Sequence, residues 1–138
     1  MSSPDAPSKI WGTPPSLDDI AEMASRALET LDEPFRSQAR AVPIKVEDFA
    51  DDETLKSLGI DNPYELTGLY SGVALTLETP SAPSHLPPMV WLFRLPILDE
   101  WAATGDITLE ELVAHVAIHE LGHHFGWSDE DMDAVLED

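Results

Sequence analysis

The feature that most constrains this 138-residue chain is a group of histidine and acidic residues inside a long apolar segment near its C-terminus. The residues from Leu109 to Phe125 suit one helix, and His119, Glu120 and His123 form the pattern H-E-x-x-H within it. Residues four apart in a helix differ by about 40° around the axis and lie roughly 6 Å apart along it. The two imidazoles therefore lean towards a common point, which suits two nitrogen ligands of a zinc ion.

The other side chains of this helix predict that it is buried. A helix that is apolar nearly all the way round is usually covered by other elements. The apolar residues are Leu112, Val113, Ala114, Val116, Ala117, Ile118 and Leu121. Buried polar groups are unfavourable without a partner, and a bound metal would supply one.

Two further histidines of this helix have other predicted roles. His115 is a candidate proton donor, but the pattern favours a hydrogen-bonded core histidine. His124 is expected to point off the ligand face, towards the carboxyl end of the helix.

Both ends of the helix have sequence signals. Thr108 and Glu111 have the spacing of a capping box, which predicts the start of the helix. Gly126 occupies the position of a left-handed residue that closes a helix. The chain is then expected to turn back past the last helical turn, so that Asp129 can reach an ion between the two histidines.

Composition restricts the classes of partner and of metal ligand. Twenty-seven acidic and seven basic residues give a net charge of −20, which repels phosphate backbones and anionic membranes. We therefore expect no nucleic acid and no membrane surface as partners; the charge serves solubility or, alternatively, steers basic substrates. The absence of cysteine leaves nitrogen and oxygen as metal ligands. No apolar stretch approaches a membrane span and no signal peptide is evident, so a cytoplasmic location is expected.

The pattern along the chain predicts an α+β fold in one domain, residues 16–138, after a disordered or loosely docked leader, residues 1–15. Ser16, with Asp19 three residues later, caps an amphipathic helix that Pro34 ends, and Pro43 places the first strand at a sheet edge. The predicted elements after this helix are a strand (41–49), a short helix (51–58), a strand or hairpin (66–77), a proline-rich loop (79–88), a central strand (89–95), a short helix (96–103), the histidine helix and a final short helix that Ser128 caps. We expect a small mixed sheet of three or four strands packed on the N-terminal helix and the histidine helix.

The run from His119 to Asp129 fits H-E-x-x-H-x-x-G-x-x-D, and the chain resembles the small bacterial zincin-like metallopeptidases that have a minimal metalloprotease-like domain. The similarity runs from about Leu66 to the end and includes Gly68-Leu69-Tyr70 and Trp91-Leu92-Phe93-Arg94. It implies a minimal zincin-like fold with one zinc ion held by His119, His123 and Asp129. Metzincins have a third histidine where this chain has Asp129, and the methionine turn of those enzymes is missing here.

The function that follows is a zinc-dependent metallopeptidase in which Glu120 is the general base for a metal-activated water. The alternative is a catalytically silent metal-binding or protein-interaction module on the same scaffold. The presence of Glu120 favours the enzyme, whereas the small size of the chain favours the module. A peptide substrate is expected to add as a strand along the edge formed by Leu69 to Leu77.

Some roles in the predicted site have more than one candidate residue. Acidic residues that compete with Asp129 for the third ligand position are Glu130, Asp131 and Asp133, and the spacing from Gly126 favours Asp129. Candidates for stabilising the oxyanion are Tyr64, Tyr70, Arg94 and His115, each of which also has a structural interpretation. His85 in the proline-rich loop is interpreted as a solvent-exposed residue. Ions related to zinc suit the same nitrogen and oxygen donors.

Overall fold

The structure is a computed structural model that describes residues 13–72, 87–128 and 130–132. The predicted leader is therefore covered only from Thr13, and most of the proline-rich loop with His85, the end of the predicted second strand and Asp129 lie outside the described residues. The described elements are helices α1 (Leu17–Leu28), α2 (Phe35–Arg40), α3 (Asp52–Ser57), α4 (Arg94–Thr104) and α5 (Leu109–Phe125), a 3-10 helix (Pro63–Glu65), and strands β1 (Ile44–Glu47), β2 (Gly68–Ser71) and β3 (Met89–Phe93).

The described strands form one mixed sheet in the order β1-β3-β2, with β1 parallel and β2 antiparallel to β3. This confirms the predicted α+β class and the central position of β3. It also confirms that β1 lies at an edge, next to Pro43, although β1 is shorter than the predicted strand. Ile44 and Tyr70 lie opposite Val90 on its two sides.

Helices α1 and α5 pack on each other and on one face of the sheet, as predicted. The largest fully buried side chains of this core include Ile20 in α1, Leu92 in β3, and Leu109 and Leu121 in α5. Both helices begin with the predicted capping boxes, which are Ser16 with Asp19 and Thr108 with Glu111. The other face of the sheet carries a smaller apolar cluster built around Ala50, Leu55 and Phe93. No helix in the described parts of the chain is both long and apolar enough to cross a membrane.

Some element boundaries differ from the sequence-based expectation. The first helix ends at Leu28, well before Pro34, and α2 begins directly after that proline. A six-residue helix such as α2 gives little periodic signal, so it was not predicted. Helix α4 starts two residues before Pro96, because proline is tolerated in the first turn, where backbone N–H groups have no partner within the helix.

The prediction that α5 is buried all round is wrong on one side. Glu111, His115 and His123 are exposed, and His119 is half-buried. These four residues follow each other at intervals of four, so they share one side of the helix. The apolar residues cover the rest of the circumference, and the histidines therefore face open space rather than the core.

Strand β2 approaches α5 closely at Gly68. A Cβ atom at this position would lie 2.7 Å from Cγ1 of Val116 and 3.1 Å from Cγ of Glu120. These distances are shorter than ordinary contacts between carbon atoms. Glycine at position 68 therefore sets the separation between β2, which lies at one edge of the sheet in the described residues, and the histidine helix.

We predict that Gly68→Ala destabilises the protein by about 1 to 3 kcal/mol, because the added methyl group pushes β2 away from α5. Urea unfolding of the purified variants measures this free energy. The double variant with Val116→Ala removes the nearest atom, so its loss should be smaller than the sum of the two single losses. A purely additive double variant would contradict the close approach.

Candidate metal centre

Helix α5 brings together the three side chains of the H-E-x-x-H pattern. One ligand atom from each of His119, Glu120 and His123 lies within 4.8 Å of the others. The imidazole rings of the two histidines are 5.2 Å apart between centroids and nearly perpendicular. Oε1 of Glu120 is 3.9 Å from Nε2 of His123. Two imidazoles and a carboxylate in one small volume are a donor set that suits zinc and related ions.

His115 extends this row by one turn. Its ring stacks over that of His119 with centroids 6.3 Å apart and an interplanar angle of 11°. The residue is exposed, so the interpretation of His115 as a core histidine is wrong. Its position four residues before His119 places it on the open side of α5, where the apolar residues do not reach.

Glu120 has a different environment from its histidine neighbours. Its side chain is only 15% exposed, whereas that of His123 is 48% exposed. Its Cγ lies beside Gly68, so strand β2 shields it from water. Burial raises the pKa of the Glu120 carboxyl, and the charge of His119 and a hydrogen bond from the backbone of Tyr70 oppose this rise.

A cleft of about 320 Å³ opens beside these groups. One wall is formed by α5 and the other by the segment that leads into β2; the lining residues are Glu65, Leu66, Thr67, Gly68, Glu100, His115, Val116, His119 and Glu120. A larger groove of about 520 Å³ contains Trp91 and Phe93, which lie on the opposite face of the sheet, but no histidine lines it. His119 and Glu120, two of the three residues of the H-E-x-x-H pattern, thus line the smaller cleft.

Asp129, the predicted third ligand, lies outside the described residues, but its neighbours are described. Gly126 adopts the predicted left-handed conformation with φ of 76°, and the N–H of Trp127 donates to the carbonyl of Gly122. A Cβ on Gly122 would lie 2.9 Å from Cε of Met132 and 3.1 Å from Cε3 of Trp127. The residues before and after Asp129 therefore return to α5 next to His123, as the sequence predicted for this turn.

The competing acidic residues are placed in part. Asp131 caps the short helical turn at 130–132, because its carboxylate accepts a hydrogen bond from the N–H of Ser128. This agrees with the predicted helix start at Ser128, whose hydroxyl accepts from the N–H of Asp131. Glu130 is exposed, and Asp133 lies outside the described residues.

The four candidate oxyanion donors occupy different places. Arg94 donates to Asp48 and to the carbonyl of the buried Pro15, so it joins the start of α1 to the sheet. Tyr64 is 44% exposed and packs edge-on against Phe49. His115 lines the cleft. The hydroxyl of the remaining candidate, Tyr70, forms a hydrogen bond with His124 of α5.

The contact of Tyr70 was not predicted from the sequence. Its hydroxyl lies 2.7 Å from Nδ1 of His124, which is buried with 6% of its surface exposed. His124 does point off the ligand face, as expected, but it packs against β2 rather than only at the end of its own helix. Spacing along the sequence carries no signal for a contact between residues 54 positions apart.

We predict that Glu120→Gln stabilises the metal-free protein at pH 8. Because burial raises the folded-state pKa of Glu120, the folded protein binds this proton more tightly than the unfolded chain. The free energy of unfolding therefore increases as pH falls through the raised pKa towards the ordinary value of 4.5. Above the raised pKa, the buried ionised carboxylate destabilises the folded protein. Melting temperatures measured with a chelator should be higher for the variant at pH 8, and this advantage should shrink with acid.

Glu22→Gln is the matched control, because Glu22 is 69% exposed on α1 and its replacement removes the same charge. It should change the melting temperature at pH 8 little, because this side chain is exposed to water. An advantage of Glu120→Gln that is the same at pH 8 and at pH 4.5 would contradict the burial of this carboxylate.

Comparison with known proteins agrees with the geometry. A family model described as zincin-like metallopeptidase matches residues 39–137, so the similarity begins well before Leu66, where the sequence analysis placed its start. No curated protein matches the chain. The matched region contains the sheet, the cleft and the H-E-x-x-H helix. The chain belongs to the zincin-like metallopeptidase family.

Proposed function

We propose that the protein is a zinc-dependent metallopeptidase that hydrolyses peptide bonds with Glu120 as general base. The observation that carries the proposal is the convergence of His119, His123 and Glu120 beside a cleft that is open to solvent. A structural group of histidines would not need an open cleft. A catalytic centre needs one, because substrate and water must reach it.

The metal ligands we propose are His119, His123 and Asp129. The two imidazoles come from the open side of α5, and the chain on both sides of Asp129 packs against Gly122, directly before His123. When bound, zinc supplies Lewis acidity that lowers the pKa of a water and polarises a carbonyl group.

Glu120 carries the proton transfers. As a carboxylate it takes a proton from the attacking water, and as a carboxylic acid it delivers that proton to the leaving amine. A general base works best when its pKa lies near the working pH, and burial shifts the pKa of Glu120 in that direction. In the metal-free protein, the charge of His119 and a hydrogen bond from the backbone of Tyr70 limit this rise of the pKa.

The substrate we propose is a peptide in extended conformation that adds along β2. Gly68 and Tyr70 lie opposite Leu92 and Val90, and the N–H of Val90 donates to Pro43 on the far side. Opposite residues of an antiparallel pair either bond to each other or both direct their N–H and C=O groups outward. Because the N–H of Val90 points away from β2, the polar groups of Gly68 and Tyr70 point away from β3. The backbone of Gly68 therefore offers hydrogen bonds at the edge that lines the cleft, and backbone recognition of this kind tolerates many sequences.

We predict that Glu120→Gln retains zinc and loses peptide hydrolysis, with kcat lower by roughly a hundredfold to ten-thousandfold. His119→Ala should bind zinc more weakly and retain less of it, because one of the two imidazole ligands is gone. Incubation with a mixed peptide library, with mass spectrometric detection and elemental analysis of each variant, measures both effects. Glu22→Gln serves as the exposed control and should behave as the unmodified protein. Equal cleavage by the unmodified protein and Glu120→Gln would refute the enzyme and leave a metal-binding module.

We also predict that zinc affinity falls by more than about tenfold between about pH 7 and pH 5, because protons compete with the metal for imidazole nitrogen. Competition with a chelator of known proton affinity gives the apparent constant at each pH. His119→Ala should bind more weakly and with a shallower pH dependence, since it releases one proton fewer. Affinity that is constant over this interval would argue against histidine ligation.

A further inference from the structure

The contact between Tyr70 and His124 lies outside the set of groups that perform the proposed chemistry. It joins the edge strand β2 to the last turn of α5 through the 2.7 Å distance between the Tyr70 hydroxyl and Nδ1 of His124. His124 is buried, and its imidazole packs at 5.5 Å from the tyrosine ring. Such a hydrogen bond fixes the relative position of two elements, because breaking it takes a partner from Nδ1 of the buried His124.

The backbone N–H of Tyr70 makes a second contact with α5, at Glu120. This N–H points away from β3, because Val90 lies opposite and uses its own polar groups on the far side. A hydrogen bond joins this backbone to the Glu120 carboxylate. Glu120 and His124 are four residues apart, so Tyr70 contacts two successive turns of α5 on the side that faces the strand.

Two glycines in the same region leave the space that this arrangement requires. Gly68 allows β2 to lie directly on Glu120. Gly72 has φ of 137°, and a Cβ there would lie 2.8 Å from the Tyr70 hydroxyl. The tyrosine ring therefore packs beside the backbone of its own strand, with its hydroxyl directed at His124.

We propose that Tyr70 and His124 are positioning residues, whose hydrogen bond holds β2 on α5 so that the backbone N–H of Tyr70 orients the Glu120 carboxylate towards the cleft. This inference rests on the proposed role of Glu120 as general base. In this role the side chains of Tyr70 and His124 act through Glu120 and not on the reacting bond. Glutamate has three rotatable side-chain bonds, and proton transfer requires its oxygen within hydrogen-bond reach of the reacting water, so one fixed donor selects the productive orientation.

Amide hydrogen exchange tests the positioning without any catalytic activity. In the metal-free protein the amide of Tyr70 should be protected, and Tyr70→Phe, His124→Leu and Glu120→Ala should each speed its exchange by about tenfold or more, because the hydrogen bond to the carboxylate opens or disappears. The amide of Leu69 is the internal control. It pairs with Trp91 within the sheet, and its exchange should stay unchanged.

A pair of substitutions at His124 separates positioning from packing. The amide group of asparagine occupies the place of Nδ1, whereas that of glutamine occupies the place of Nε2. His124→Asn should therefore keep the bond to Tyr70, and His124→Gln should lose it. In the zinc-loaded enzyme, kcat should fall by roughly tenfold to a hundredfold in Tyr70→Phe and His124→Gln, with a smaller change in KM, and His124→Asn should recover most of it.

Faster exchange at residue 70 together with lower kcat, both reversed in His124→Asn, supports the proposal. Unchanged exchange in Tyr70→Phe overturns it, and so does a loss of kcat that is equal in His124→Asn and His124→Gln when both are folded. If the His124 variants do not fold, Tyr70→Phe alone decides, because it removes only one oxygen atom. A protein that shows the exchange pattern but cleaves no peptide would refute the proposed function and not the hydrogen-bond arrangement.

Discussion

The contact between β2 and α5 at Gly68 determines how the candidate centre is built. A helix can present two histidines and a glutamate on its own, but it leaves all three side chains in water. Here the edge strand lies on the helix at the distance that only a glycine allows, and it covers Glu120 while His115 and His123 stay exposed. One close approach therefore separates a shielded carboxylate from accessible imidazoles. That separation matches the two roles, because a base needs a shifted pKa and a metal ligand needs access.

The burial of Glu120 and the exposure of the histidine row are consequences of one helix being covered on three sides. Helix α1 and strand β3 cover the apolar residues of α5, and β2 covers the flank that carries Glu120. The remaining side carries polar residues at intervals of four. The apolar packing fixes the rotation of α5 about its axis, so the core determines where the donor atoms point even though none of them belongs to it.

The sequence predicted much of this arrangement because the signals involved are local. The capping box at Thr108, the left-handed Gly126 and the apolar run of β3 each depend on residues that are close along the chain. The proline at position 43 correctly indicated an edge strand. Donor convergence at His119 and His123 also followed from helical spacing alone.

The features that the sequence did not reveal depend on distant contacts. The open side of α5 was missed because apolar residues dominate its composition, and only the tertiary packing shows which of them are covered. The contact of Tyr70 with His124 joins two elements with no periodic relation. Glycine is required at position 68 because Val116 of α5, 48 positions later, lies against it. Asp129 stays a prediction, since it lies outside the described residues.

X-ray absorption at the zinc edge of the loaded protein tests the central claim most directly, because it measures the ligands of the ion itself. We expect two imidazole ligands with nitrogen atoms at about 2.0 to 2.1 Å, together with oxygen ligands. The outer-shell scattering of imidazole should drop by half in His119→Ala. A spectrum with oxygen ligands alone, or one that His119→Ala and His123→Ala leave unchanged, would contradict the account.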